Sequence, residues 1–210
     1  MMNLPNQLTV LRIILTPLFL YTLFVDHVGI KFLSLLIFII ASLTDLYDGY
    51  IAKKYGYVTM WGKFLDPLAD KVLVSAALIA FNILGYIQLC VVLVIVIRDF
   101  MVTGLRSYAL FRNRPVVTQE LARTKTFIQM ISVYFVYIFL LADYFAEVHQ
   151  ISFGVIRVLK QIGFVDKLMA IVALLTLYTG VQYFILNRIH VLNIFRDITG
   201  IFHSNKSESK

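Results

Sequence analysis

Charged residues are scarce in this chain of 210 residues: 15% are Asp, Glu, Lys or Arg, whereas 60% are hydrophobic. A soluble domain of this length needs more polar surface than such a composition supplies. The same figures exclude a disordered chain and a coiled coil. The mean hydropathy of +0.84 instead indicates a protein that crosses a membrane several times.

Cysteine is almost absent as well, and this excludes an intrachain disulfide, because Cys90 stands alone in an apolar run. Residues 1–5 (MMNLP) lack a basic segment, and no small-residue cleavage site follows the first apolar stretch, so we expect no signal peptide. In a membrane protein, the net charge of +7 is more typical of cytoplasmic loops and anionic lipid than of nucleic-acid binding. We therefore expect no nucleic-acid partner.

Six apolar stretches are long enough to cross a bilayer core of about 30 Å, which takes about 20 helical residues. Only helices fit, because short alternating strands are absent and lipid cannot satisfy open backbone groups. The predicted fold is therefore all-α, a polytopic membrane protein with six transmembrane helices. These helices cover residues 7–25, 30–52, 64–84, 87–111, 126–148 and 167–187. They form one transmembrane domain over 1–200, which a polar cytoplasmic tail follows over 201–210.

Basic residues predict the orientation of these helices. Eleven Lys and Arg flank the ends shared by the 2–3 connection, the 4–5 connection and the tail, against four at the opposite ends. The positive-inside rule then places both termini in the cytoplasm. Residues 150–161 (QISFGVIRVLKQ) read as an amphipathic segment on the outer surface.

Four aspartates lie where lipid-spanning helices should be apolar. Asp45 and Asp48 are near the end of the second predicted helix, and Asp66 and Asp70 are near the start of the third. Since consecutive helices are antiparallel, all four reach a similar depth on the cytoplasmic side, and each pair shares one helical face. Such carboxylates repel one another unless they are protonated or bound to cations, and four of them suit two hard divalent ions. The alternative is a structural role, in which the acids line a helix interface or pair with nearby lysines.

Basic residues supply a counterpart to the aspartates. Arg98 lies near the middle of the fourth helix, Arg106 lies two turns later, and Arg123 and Lys125 begin the fifth helix. Arg98 could simply pair with Asp99 or with one of the four aspartates. The other three are typical of a phosphate site, and a basic pocket beside an acidic, metal-binding one fits phosphoryl-type transfer.

The spacing of these residues resembles the signature of the CDP-alcohol phosphatidyltransferase family, D-x-x-D-G-x-x-A-R, eight or nine residues, then G-x-x-x-D-x-x-x-D. Residues 45–53 (DLYDGYIAK) and 62–70 (GKFLDPLAD) match seven of the eight fixed positions. Lys53 stands where the family usually has arginine, which keeps the charge and loses the planar fork. Residues 3–12, 62–71, 98–106 and, more weakly, 122–126 are similar to members whose acceptor is glycerol 3-phosphate, although Asp99 stands where glutamate is usual.

The resemblance implies an enzyme that transfers the phosphatidyl group of CDP-diacylglycerol to sn-glycerol 3-phosphate and releases CMP. It implies two divalent ions, Mg²⁺ or Mn²⁺. One is held by Asp45, Asp48 and Asp66, and the second by Asp45, Asp66 and Asp70. In addition, Asp70 is the general base. The residues expected around CDP-diacylglycerol are Asn6, Thr9, Asp48, Gly49, Ala52, Lys53 and Gly62. Those expected at the acceptor phosphate are Arg98, Arg106, Arg123 and Lys125.

The resemblance also implies a homodimer in the bacterial inner membrane, in contact with membrane lipids and with its active site facing the cytoplasm. Two alternatives stay open. A cardiolipin synthase of the same fold would use phosphatidylglycerol as acceptor. A cation-coupled transporter could also keep four intramembrane aspartates, but we would expect them near the bilayer midplane and without the glycine spacing.

Overall fold

A computed structural model describes residues 4–55, 60–111, 120–151 and 153–188. Within these ranges, the side chains at 4–9, 45–55, 60–68, 70, 110–111 and 120–123 are outside the description. The described chain forms seven α-helices and no strand, which confirms the all-α prediction for this part. The helices are α1 Leu4–Phe24, α2 Val28–Tyr55, α3 Met60–Ile83, α4 Leu89–Phe111, α5 Glu120–Val148, α6 Gly154–Gln161 and α7 Phe164–Leu186.

Each of the six predicted apolar stretches corresponds to one of the six long helices, with ends that differ by up to six residues. Two of these helices are long and apolar enough to cross a membrane by length and composition, namely Thr124–Val148 within α5 and Phe164–Leu186. Shorter apolar segments lie at Val10–Phe24, Val28–Thr44 and Lys71–Ile83, each of which ends where the described side chains of its helix end. The count of six spans therefore stays a prediction.

Large apolar side chains are exposed along the outer faces of several helices. Ile14 of α1 is 59% exposed, Leu36 of α2 is 55% exposed, and Leu174 of α7 is 66% exposed. Continuous apolar surface of this kind is far more than a soluble monomer shows, and it fits contact with lipid. Together, this surface and the apolar helices identify a membrane protein.

Aromatic side chains form the centre of the buried core, where four helices meet. The ring of Phe38 on α2 lies 5.3 Å from that of Phe19 on α1 and 5.7 Å from that of Tyr137 on α5. Phe81 of α3 packs edge-on against Tyr137 at 5.4 Å. The hydroxyl of Tyr137 lies 2.5 Å from that of Ser34, so its polar end is satisfied within the core.

Contacts between connections show which helix ends meet. Lys31, at the start of α2, donates to the carbonyl of Leu23 at 3.0 Å and lies 4.4 Å above the ring of Tyr144 near the end of α5. Tyr86, between α3 and α4, donates to Asp143 of α5 at 2.7 Å. The α1–α2, α3–α4 and α5–α6 connections therefore share one end of the molecule. Helices α4 and α7 both start at this end and run in the same direction, packed against each other.

Helix α6 corresponds to the predicted amphipathic segment and lies at this same end. Ile156 and Leu159 pack against the core, whereas Val155 on another face is 72% exposed. Lys160 forms an ion pair with Asp143 at 2.7 Å. Helix α6 thus packs onto the bundle by one face and presents apolar side chains outward by another.

Candidate active site

The four predicted aspartates lie on α2 and α3, which contact each other. The helical backbone is continuous through both pairs, so Asp45 and Asp48 share one face of α2, and Asp66 and Asp70 share one face of α3. They lie toward the end of the molecule opposite the α3–α4 connection. The side chains of the four aspartates are outside the description, as are those of Asn6, Thr9, Ala52 and Lys53 and the surroundings of Gly49 and Gly62.

A buried carboxylate joins the basic residues of α3, α4 and α5. Asp99 of α4 is 3% exposed. The Nζ atom of Lys125 on α5 donates to its Oδ1 atom at 2.5 Å, and the guanidinium of Arg98 donates to the same oxygen at 3.0 Å. Its Oδ2 atom accepts from the amide of Gln129 at 3.1 Å and lies 3.9 Å from the Nζ atom of Lys71 on α3. These five side chains are called the Asp99 cluster below.

The Asp99 cluster carries more positive than negative charge. Three cations surround one carboxylate, which leaves an excess of two positive charges. Lys125 is 1% exposed, so its charge depends on Asp99 for stabilisation. The side chains of Lys71 and Arg98 remain 23% and 11% exposed. Lysine and arginine donors of this kind suit a dianion such as a phosphate monoester.

The structure brings together two of the four residues expected at the acceptor phosphate, Arg98 and Lys125. The alternative in which Arg98 pairs with Asp99 is observed, and Lys125 pairs with the same carboxylate. Arg106 lies two turns further along α4 and is exposed. The side chain of Arg123 is outside the described residues.

Four members of this site were not predicted as site residues, namely Lys71, Gln129, Thr179 and Asp99, which was expected only as a possible partner of Arg98. Lys71 directly follows Asp70, and Gln129 follows Lys125 by four residues, a spacing that places both on one face of α5. Those two positions carried a local signal. Thr179 carried none, because it lies in the apolar run of α7, yet its hydroxyl accepts a hydrogen bond from Arg98 at 3.0 Å.

Comparison with known proteins shows which family the chain belongs to. The sequence profile of the CDP-alcohol phosphatidyltransferases matches residues 2–162, which include the aspartates, the glycines and the Asp99 cluster on α3–α5. The chain belongs to the CDP-alcohol phosphatidyltransferase family. The family predicted from residues 45–70 is therefore confirmed, and the protein is a transferase. This excludes the transporter as a description of the chain. Helix α7 lies outside the matched region.

Individual relatives within the family are named either as glycerol-3-phosphate 3-phosphatidyltransferases or as a probable phosphatidylglycerophosphate synthase. A CDP-diacylglycerol–glycerol-3-phosphate 3-phosphatidyltransferase of Rickettsia bellii is 42% identical over 128 residues, which are 61% of this chain and 71% of the relative. The Bacillus subtilis protein of the same name is 42% identical over 145 residues, with 63% and 75% covered. A probable phosphatidylglycerophosphate synthase of Mycobacterium tuberculosis is 35% identical over 202 residues, with 95% and 85% covered.

Proposed function

We propose that the protein transfers the phosphatidyl group of CDP-diacylglycerol to sn-glycerol 3-phosphate, giving phosphatidylglycerophosphate and CMP. The observation that carries this proposal is the Asp99 cluster, whose excess positive charge lies on α3, α4 and α5. Helix α3 also bears two of the aspartates, and both α3 and α5 contact α2, which bears the other two. An acceptor that carries a phosphate monoester matches this charge. The names of the relatives support the same acceptor.

The donor side of the site would be built from α1, α2 and α3. Asn6, Thr9, Asp48, Gly49, Ala52, Lys53 and Gly62 would surround the CMP part of CDP-diacylglycerol. Glycine at positions 49 and 62 removes the side chain that would keep a ligand away from the helix backbone. The acyl chains would lie against the apolar outer faces of the helices, which accounts for a small polar reaction taking place in a membrane protein.

Enzymes of this family generally depend on divalent metal ions. The donor set fits two Mg²⁺ or Mn²⁺ ions, because four carboxylates on the faces of two contacting helices supply hard oxygen ligands. Asp45, Asp48 and Asp66 would hold one ion, and Asp45, Asp66 and Asp70 the other. When bound, such ions neutralise charge on the pyrophosphate and on the CMP that leaves.

The residues of the chain would carry out the remaining chemistry. Asp70 would accept the proton from a hydroxyl of glycerol 3-phosphate, whose oxygen then forms a bond to the β-phosphorus as the bond to CMP breaks. Arg98, Arg106, Arg123 and Lys125 would hold the phosphate of the acceptor, with Lys71 as a further cation. Asp99 would keep Lys125 and Arg98 in place before the acceptor binds.

The architecture proposed for the whole chain is one transmembrane catalytic domain of six spanning helices over 1–200, with a cytoplasmic tail over 201–210. The basic flanks support a cytoplasmic active site in a bacterial inner membrane. The proposed assembly is a homodimer.

An acceptor assay tests this function. Purified protein in detergent receives CDP-diacylglycerol, Mg²⁺ and either glycerol 3-phosphate or phosphatidylglycerol, and CMP release and the lipid product are measured. We expect turnover with glycerol 3-phosphate and a loss of it when EDTA removes the metal. Turnover with phosphatidylglycerol alone would replace the proposal by cardiolipin synthesis. Lys160→Gln, at the opposite end of the bundle, is the control for changes of surface charge.

A further inference from the structure

Helix α7 contributes polar side chains to the Asp99 cluster, although it lies beyond the part of the chain that matches the family. Helices α4 and α7 run in the same direction and pack together. Thr179, Gly180 and Tyr183 of α7 all lie where it faces α4, and Thr179 and Tyr183 are one helical turn apart. This side of the Asp99 cluster is therefore built from residues that no family signature assigns.

Thr179 and Gly180 fix the position of Arg98. One terminal nitrogen of its guanidinium donates to Asp99 and the other donates to the hydroxyl of Thr179, each at 3.0 Å. The Thr179 hydroxyl donates its own hydrogen to a backbone carbonyl of the preceding turn, that of Leu175 at 2.9 Å, so it can accept from Arg98. A Cβ atom at Gly180 would lie 2.9 Å from the Cγ atom of Arg98 and 3.3 Å from its Nε atom. A side chain at position 180 would therefore displace the side chain of Arg98, whose guanidinium is held by Asp99 and Thr179.

Tyr183 brings an unused hydrogen-bond donor to the same place. It is 5% exposed, and its hydroxyl has no hydrogen-bond partner among the described residues. Tyr183 follows Thr179, which contacts Arg98, by one helical turn on the same face of α7. The Nε atom of Arg98 likewise has no partner in the described part of the chain. Buried donors of this kind are costly to leave unsatisfied, so a ligand with several acceptor oxygens would satisfy both of them.

We propose that α7 forms one side of the acceptor pocket, with the Tyr183 hydroxyl donating to the phosphate of the acceptor and with Thr179 and Gly180 positioning Arg98. This inference rests on the proposed function for the identity of the acceptor. It assigns Tyr183 as a binding residue and Thr179 and Gly180 as positioning residues. Discrimination for a phosphorylated alcohol then depends on a helix outside the family signature.

Steady-state kinetics on the full-length protein tests the inference. In Tyr183→Phe we expect the KM for glycerol 3-phosphate to rise about tenfold, the effect of one hydrogen bond to a charged group, with the KM for CDP-diacylglycerol unchanged. Gly180→Ala and Thr179→Val should raise the same KM, whereas Thr179→Ser, which keeps the hydroxyl, should remain close to the parent. Tyr178→Phe is the matched control, because Tyr178 is 61% exposed on the same helix.

The outcomes separate this inference from the proposed function. An unchanged KM for glycerol 3-phosphate in Tyr183→Phe, or an equal rise in the KM for both substrates, would overturn the inference. If the parent protein does not use glycerol 3-phosphate, the proposed function fails, and anion binding then decides the inference by itself. Protection against thermal unfolding by inorganic phosphate should be weaker in Tyr183→Phe than in Tyr178→Phe, and equal protection would contradict it. If Gly180→Ala does not fold, the Tyr183 and Thr179 variants give the same test.

Discussion

Asp99 is the residue on which the basic side of the site depends. Its two oxygens receive donors from α4 and α5 and lie close to Lys71 of α3, so one side chain organises three helices. A carboxylate in this position lets Lys125 stay charged although it is 1% exposed. Because Asp99 neutralises only one of the three positive charges around it, the cluster keeps a net positive charge for an anionic ligand.

Removing this charge should destabilise the protein. Asp99→Asn leaves Lys125 buried without an anion, which costs about 3–5 kcal/mol and lowers the melting temperature by about 5 °C or more. Asp99→Glu retains the charge, so its melting temperature should fall less than that of Asp99→Asn. Thermal unfolding in detergent measures both. The control is Asp26→Asn, because the side chain of Asp26 is 86% exposed. Equal melting temperatures for the Asn variants at 26 and 99 would contradict the role given to Asp99.

Asp70 has the most specific chemical role in the proposed mechanism. In Asp70→Asn the amide cannot accept the proton of the acceptor hydroxyl, so turnover should fall by about 10²-fold or more while the protein still folds. CMP release measures the activity, and size-exclusion chromatography with the melting temperature reports folding. Asp166→Asn, at the start of α7 and remote from the site, serves as the control. Near-normal turnover in Asp70→Asn would remove Asp70 as the base.

Helix α6 is an element that the bundle holds through few contacts. Asp143 accepts from Tyr86 and pairs with Lys160, and Ile156 and Leu159 pack beneath. Burial, together with the hydrogen bond to Asp143, raises the pKa of Tyr86, so its hydroxyl remains a donor at neutral and alkaline pH. Asp143 therefore links the α3–α4 connection, α5 and α6.

Neutralising Asp143 should loosen α6 without affecting catalysis. In Asp143→Asn the ion pair with Lys160 is lost and the bond from Tyr86 weakens, so amide hydrogen exchange over 154–161 should rise roughly fivefold to tenfold. Mass spectrometry of exchanged peptides measures this. Turnover should remain unchanged, since the aspartates lie toward the other end of the bundle. Unaltered exchange in α6 would show that apolar packing alone retains it.

At the scale of the whole molecule, local patterns in the sequence predicted the helices and the family but not how distant residues pair. Each apolar stretch became a helix, because burial and lipid contact act on segments of about 20 residues. The spacing of the aspartates and glycines lies within residues 45–70, so it could be recognised in the sequence without knowledge of distant contacts. The hydrogen bond from Arg98 to Thr179 joins positions 81 residues apart, and no periodicity encodes it. In α7, Thr179 and Tyr183 stand among apolar residues, so no local pattern indicated a polar site there.

The orientation of the whole bundle is testable with the chain's own cysteine removed. In a Cys90→Ala background, Gln161→Cys at the end of α6 should react with a membrane-impermeant maleimide in intact cells. Ser204→Cys in the tail should react only after the membrane is opened, because the basic flanks place that end in the cytoplasm. Gel shifts of the labelled protein report both. The reverse pattern would invert the proposed topology.

The excess positive charge of the Asp99 cluster has a consequence for product release. Transfer at the hydroxyl leaves the phosphate of glycerol 3-phosphate intact, so phosphatidylglycerophosphate carries the group that the pocket recognises. Because the product keeps this phosphate, it should compete with glycerol 3-phosphate for the same basic residues. Added product should therefore raise the apparent KM for glycerol 3-phosphate. A phosphatase-type reaction that removes this phosphate from the released lipid should relieve the competition.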